Sequence, residues 1–264
     1  MNSLSINRAW DDTRAFILAD KRLIVPVVFA FMILPSVLYR ISVPAADDVE
    51  AIMSGNGPPA WAGLLGYGIA FLSFIGTFTL ILLALGRRES LGQLIALSAR
   101  RCLTLLLSMF LLGLLLTPIA LIAVVPMIMA DGATTPAQMS PRTMSAFGLM
   151  MILFLLLLFR LFLLFPAVAA EQIGPWQALK RGWALGRGNW LKLVGTFALL
   201  FLGSMTVSYV INHVGGTIAT VALDGDRGLT VGSVIVGFLA ASASAAFQSI
   251  QAGMLASLYR QANA

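Results

Sequence analysis

Residues 155–172 read LLLLFRLFLLFPAVAAEQ, which places Arg160, a guanidinium that stays protonated at physiological pH, inside a run of Leu and Phe. An arginine in a hydrocarbon-spanning helix is costly, so it snorkels, finds polar partners or serves a substrate. If Glu171 marks the membrane edge of an unbroken helix, Arg160 lies eleven residues in, about 16 Å at 1.5 Å per residue. The same arithmetic sets Gln248 twelve residues before Arg260, Thr77 ten before Arg87 and Ser204 twelve after Lys192. All then fall roughly 15 to 18 Å deep, in one polar layer near the midplane. Ser244 sits one turn from Gln248. Arg160 is therefore expected to face the bundle interior and donate to Gln248, Ser244 and neighbouring hydroxyls, with the Phe162 carbonyl, freed by a kink at Pro166, as a further acceptor. Three roles stay open for such a layer: a structural clasp, a cavity that holds a lipid phosphate or other anion, and a transport path.

Other chemistry is scarce. His213, beside Asn212, has no second His or Cys nearby and reads as a hydrogen-bonded residue at a membrane edge rather than a metal ligand. Cys102, the single cysteine, follows Arg100 and Arg101 and reads as a small filler side chain. The run LDGDRG at 223–228 lacks the third acidic ligand and closing Glu of a calcium loop, so a tight turn is expected. No nucleophile elbow, zinc-protease helix or phosphate loop occurs, and no Asp or Glu falls mid-span. The residue supply disfavours an enzyme, and neither a cofactor nor a metal is expected.

The surrounding elements are strongly apolar. Of 264 residues, 59% are hydrophobic and 11% charged, far from the ~25% charged content of soluble domains. Six segments approach the ~20 apolar residues a spanning helix needs: roughly 22–41, 60–85, 103–130, 143–169, 190–213 and 229–258. They make one all-α, polytopic membrane domain over 1–264 with no room for a soluble domain. The first apolar run follows about twenty residues that include Asp11, Asp12 and Asp20, unlike a cleaved signal, so that span reads as an anchor.

Thirteen Lys and Arg fall on the side of both termini, three (Arg40, Arg142, Arg227) on the other, and Arg160 within a span. This asymmetry predicts cytoplasmic N- and C-termini. Asp47, Asp48, Glu50, Asp131, Asp224 and Asp226 leave the outer side acidic, so the net +6 belongs to the cytoplasmic face. That face should attract anionic phospholipids. No nucleic-acid partner is expected.

Three basic segments precede the odd-numbered spans with near-helical apolar spacing: Ile6, Trp10 and Ile17; Leu91, Leu94 and Ile95; Trp176, Leu179 and Trp183. They are expected to be interfacial amphipathic helices, with Trp10, Arg100, Arg101, Trp176, Lys180, Arg181 and Trp183 at the membrane surface. The junctions ADKRLIVPVVFAF, SARRCLTLLLSMF and RGNWLKLVGTFAL align as a threefold repeat of surface helix, span, outer loop and span. Small residues in the sixth span (Gly237, Ala241, Ser242, Ala245, Ala246, Gly253, Ala256) permit close helix packing or a homodimer.

The stretch RLFLLFPAVAAEQIGPWQALKRGWALGRGNWLKLVG, with Arg160, Pro166, Glu171, the Ala178–Leu179 step, Arg181 and Trp183, resembles the glycerophosphoryl diester phosphodiesterase membrane-domain family of bacterial six-helix proteins. The ending LASLYRQ is also similar to that family's last helix. The resemblance is close over about forty residues and extends through topology to the whole chain. It implies the membrane part alone: the catalytic barrel fused to some members needs clustered His and carboxylates that this chain lacks. The expectation is a non-enzymatic, lipid-associated or envelope-maintenance module. The alternatives are a transporter of a lipid or small molecule through the polar layer, and an adaptor holding a protein partner on the cytoplasmic segment 171–189.

Overall fold

A computed structural model describes residues 4–43, 59–87, 89–132, 140–186, 190–222 and 231–263. The acidic residues 47, 48, 50, 224 and 226, Arg88, Arg187, Arg227 and the LDGDRG turn lie outside these. Among the described residues all regular structure is helical: α1 (Ile6–Ala19), α2 (Lys21–Val28), a π-helical turn (Phe29–Ile33), α3 (Leu34–Ser42), α4 (Ala60–Ala84), α5 (Leu91–Asp131), α6 (Pro141–Arg160), α7 (Leu164–Ala170), α8 (Pro175–Leu185), α9 (Trp190–Ala222) and α10 (Val231–Asn263). Among the described residues six stretches are long and apolar enough to cross a membrane: Lys21–Ser42, Ala60–Ala84, Leu91–Ile119, Pro141–Ala170, Trp190–Gly215 and Val234–Asn263. The protein is an all-α, multi-pass membrane protein.

Local chemistry sets the helix ends and irregularities. Ser5 and Ser140 accept from the amides of Arg8 and Thr143 three residues on, and Pro141 and Pro175 occupy first turns, where a missing N–H costs nothing. In the first span Pro35 cannot donate to the Phe31 carbonyl, and Ser73 of α4 supplies a hydroxyl to it at 3.4 Å. The third span departs from expectation. Ser90 N–H donates to Gln93 Oε1 at 3.2 Å, and nothing between Ser98 and Leu103 breaks the helix, so the basic segment and the span form one 41-residue helix, α5.

Each leading segment packs antiparallel against an even-numbered span. α1 lies along α10, with Ser5 N–H on Gln261 Oε1 at 2.8 Å and Ser257 Oγ on Asp12 Oδ2 at 2.6 Å. The start of α5 lies along α4, where Thr79 and Ser98 hydroxyls meet at 3.0 Å. α8 folds back on α7, Gly182 facing Leu164. The faces turned inward are largely small (Ala9 and Thr13; Ser98 and Cys102; Ala178, Gly182 and Gly186), while Trp10, Trp176 and Trp183 point outward. Sequence periodicity located these helices, but the fully buried contacts are made mostly by small residues; of the apolar set Leu94 is fully buried and Ile17, Leu91 and Leu179 pack half-buried against the core. The bond from Ser5 to Gln261 also brings the two ends of the described chain together.

The buried core gathers at the end where α7 sits, around Phe78, Leu80, Ile81, Leu82, Leu163, Leu164, Ala167 and Leu255. Elsewhere α5, α6 and α9 present Phe110, Ile122, Leu153 and Leu199 outward, a surface that hydrocarbon rather than water solvates.

Candidate functional site

The fourth span is interrupted at Arg160. α6 ends there after 20 residues, about 30 Å and one hydrocarbon thickness. The next residues turn tightly, with Phe162 N–H on the Phe159 carbonyl at 3.2 Å, Leu164 N–H on Leu161 at 2.7 Å and Phe165 N–H on Phe162 at 3.2 Å. Pro166 in the first turn of α7 has no N–H, and its ring opposes a carbonyl four residues back, so these i to i+3 bonds replace the α-helical ones. The Phe162 carbonyl is thus taken by the backbone and is not free for Arg160. The break precedes the proline rather than centring on it.

Beyond Glu171 the chain reverses and α8 climbs back beside α7. A Cβ at Gly186 would come within 2.9 Å of the Arg160 carbonyl, and one at Gly182 within 3.1 Å of Leu164 Cβ, so the approach depends on both glycines. Trp183, next to Gly182, carries its ring against the guanidinium, with Arg160 Cζ 3.6 Å from the ring centroid. That is a close cation–π contact. The Nε of Arg160 is buried without an acceptor, and among the described residues the guanidinium makes no hydrogen bond.

The expected layer therefore separates. Thr77 and Gln248 do come together, lining one cavity of about 330 Å³ with Ser73, Phe162, Phe165 and Gln251. Arg160 does not join them, because Phe162 and Phe165 stand at that cavity while Arg160 turns to α8. Ser244 instead pairs with the Ser208 hydroxyl at 3.4 Å, and Ser204 bonds the Phe201 carbonyl of its own helix at 2.9 Å. Phe159 and Phe162 face α9, the latter stacked on Phe197 at 4.4 Å between centroids, which fixes the direction left for Arg160.

The second correction concerns Arg101. Expected at the membrane surface, it is only 6% exposed and donates to the carbonyls of Val168 and Ala169, at 3.4 Å for Val168. Arg87 reaches Ala170 at 3.5 Å, so two guanidiniums cover the carbonyl end of α7 and oppose its partial negative charge. The stripe Leu94, Ser98, Cys102 and Leu105 carried the signal: Arg101 borders this buried face and Arg100 does not. Lys180 and Arg181 are exposed. Lys180 lies 5.6 Å over the Trp176 ring, and Arg181 Nε pairs with Glu171 at 3.1 Å, an acceptor shared with Tyr259 Oη at 2.7 Å. Sequence reading missed Tyr259, whose hydroxyl ties α10 to the α7–α8 turn.

His213 is exposed, its ring against Tyr209 at 4.1 Å, and Asn212 accepts from Arg40 at 2.8 Å. Cys102 is fully buried as a filler. Gly237 and Gly253 of α10 are occupied within the chain by Arg40 and Thr13.

Fold and site together define a polytopic helical membrane protein whose fourth span is broken at Arg160 and followed by a helix that doubles back on it. The chain belongs to a family described as a domain of unknown function (DUF7847), which matches residues 23–262 and so begins after α1. No curated protein and no solved structure matches it.

Proposed function

We propose that the protein is a non-enzymatic, lipid-associated module of a bacterial inner membrane, and that Arg160 and Trp183 hold the phosphate of an anionic phospholipid. The observation that carries this reading is a guanidinium at a helix break that, among the described residues, rests on an aromatic face and makes no hydrogen bond. All its N–H donors lack acceptors among the described residues. Leaving a charged donor unmet in a membrane interior is expensive, and a planar guanidinium matches phosphate oxygens in a two-pronged geometry. The excess of basic residues on the side of the termini supports a cytoplasmic placement of that side. The resemblance to the glycerophosphoryl diester phosphodiesterase membrane-domain family is in keeping with a role beside lipids, without its catalysis. The shared antiparallel seat of α1, the start of α5 and α8 supports three copies of one unit.

The test is native mass spectrometry of the full chain from detergent, wild type against Arg160→Gln and Arg160→Lys. A still-folded Arg160→Gln should retain one anionic phospholipid fewer, with Arg160→Lys between. Equal retention in all three would end the reading. A second reading, transport of a lipid or small molecule, rests on the cavity between Thr77 and Gln248, where the amides of Gln248 and Gln251 make no hydrogen bond among the described residues. Cysteine accessibility at position 248 from both sides of the membrane would support it; access from neither would exclude it. An adaptor role would instead show as loss of a copurifying protein on altering Trp176 and Lys180.

A further inference from the structure

We propose that α1, α9 and α10 form a second lipid seat, for one diacyl anionic phospholipid whose acyl chains lie on either side of Trp10. This site is separate from Arg160 and does not rest on the reading given for it. Two cavities share the Trp10 side chain as a wall. The first, about 360 Å³, runs between α1 and α9 with Ile6, Leu199, Leu200 and Met254 as its apolar lining and Lys192 as its single charged one. The second, about 230 Å³, lies between α1 and α10, bounded by Ile17, Leu18 and Ile250, with Arg14 its single charged residue. Two separate apolar troughs divided by one indole, each with one cation, match two hydrocarbon chains joined at one phosphate.

The charges are free to serve such a group. Lys192 Nζ donates to the Leu4 carbonyl at 3.5 Å and makes no other hydrogen bond among the described residues; Arg14 forms no ion pair there. The nearby acid Asp12 is turned away, bonded to Ser257 at 2.6 Å and paired with Arg260 at 3.6 Å. Trp10 is half exposed, and an indole at a membrane edge with cations beside it suits the headgroup boundary. The walls Leu199 and Leu18 are lipid-facing, at 73% and 62% exposure, so the occupant arrives laterally from the bilayer. A water-soluble ligand would need polar groups that these linings do not supply.

Gly195 gives the decisive variant. It lines the first trough, and a Cβ built there meets no atom within 4 Å, so Gly195→Phe fills the trough without displacing the backbone. Native mass spectrometry of the full chain, titrated with phosphatidylglycerol or phosphatidylcholine, should show at least a tenfold weaker phosphatidylglycerol site in Gly195→Phe at unchanged melting temperature. The double variant Lys192→Gln with Arg14→Gln should keep binding but lose the preference for the anionic headgroup. Arg160→Gln should leave this site intact, which separates its failure from that of the Arg160 site. Phosphatidylglycerol carrying a diazirine in an acyl chain should label Ile6 to Leu18 and Gly195 to Leu200 in the wild type. Wild-type binding by a folded Gly195→Phe, or label spread over all lipid-facing helices as for an annular lipid only, would overturn the proposal. If Gly195→Phe does not fold, the labelling pattern decides.

Discussion

The seven-residue helix α7 has an arginine at each end, and the two are treated in opposite ways. At the carbonyl end Arg101 is buried and covers the last acceptors of the helix, with Arg87 beside it. At the amide end Arg160 points away from the helix onto Trp183 and meets no acceptor among the described residues. The contrast follows from what a helix end offers. A carbonyl terminus presents unfilled acceptors and partial negative charge that welcome a guanidinium, whereas an amide terminus presents donors and partial positive charge that do not. One arginine is used up by the fold. The other leaves its donors unmet among the described residues.

The sharpest way to break this comparison is to remove the consumed arginine. Arg101→Leu strips the Val168 and Ala169 carbonyls of their donor, and unmet buried acceptors of this kind cost about 3 kcal/mol in total. The variant should melt well below wild type in detergent, with Arg101→Lys recovering part of the loss. A melting temperature equal to wild type would mean that Arg101 is as dispensable to the fold as Arg160.

Next in size is a test of the seat of α1. A Cβ at Gly253 would stand 2.6 Å from Thr13 Cγ2, so Gly253→Val should overpack the interface and destabilise by about 2 kcal/mol. Thr13→Gly in the same chain should restore most of it, since the three atoms nearest that Cβ all belong to the Thr13 side chain. Absence of rescue would place the cost elsewhere on α10.

Much of this architecture was legible in the sequence because hydrocarbon length is a coarse, additive signal. Five spans fall within about five residues of the apolar runs, and Thr77 and Gln248, which rise per residue sets at one depth, line one cavity. The basic segment before the third span reads as a separate helix because SARRC looks like a boundary by charge, yet it contains nothing that stops a helix. The partner of Arg160 was misread for a different reason. Depth was counted along an unbroken helix, and rotation about its axis was not considered. Phe159 and Phe162 fix that rotation by packing on Phe201 and Phe197 of a helix distant in sequence. Arg101 was hidden by its neighbour: two adjacent arginines point about 100° apart on a helix, so one is buried while the other is exposed.

Arg160 sharpens the comparison from the other side. Arg160→Gln removes a cation–π contact and fills no acceptor, so it should cost only about 1 kcal/mol of stability. Its larger effect is expected in lipid retention. Trp183→Leu should lower both, because it removes the face on which the guanidinium rests. A loss of stability from Arg160→Gln as large as from Arg101→Leu would show that the free arginine is structural after all.

The smallest effect is expected at the far end of the bundle, where a carboxylate does for an amide end what Arg101 does for a carbonyl end. Asp131 at the close of α5 accepts from the Ser140 amide at 2.9 Å, just before α6 begins. Hydrogen bonding from the Thr143 side chain, and then from the Ser140 backbone, holds its carboxyl below the ordinary carboxylate range. A depressed carboxyl pKa contributes stability that is present above the unfolded value and is lost as the pH falls through the folded one. The ordinary value is about 4, so the contribution is intact at neutral pH and fades only below that. Hydrogen exchange at the Ser140 amide should accelerate as the pH is lowered through this range, after correction for intrinsic rates. Asp131→Asn, neutral throughout, should show no such step, and the overall melting temperature at pH 7 should move little because the group is solvent-exposed. A step that persisted in Asp131→Asn would assign the pH response to another group and leave this helix start held by Ser140 alone.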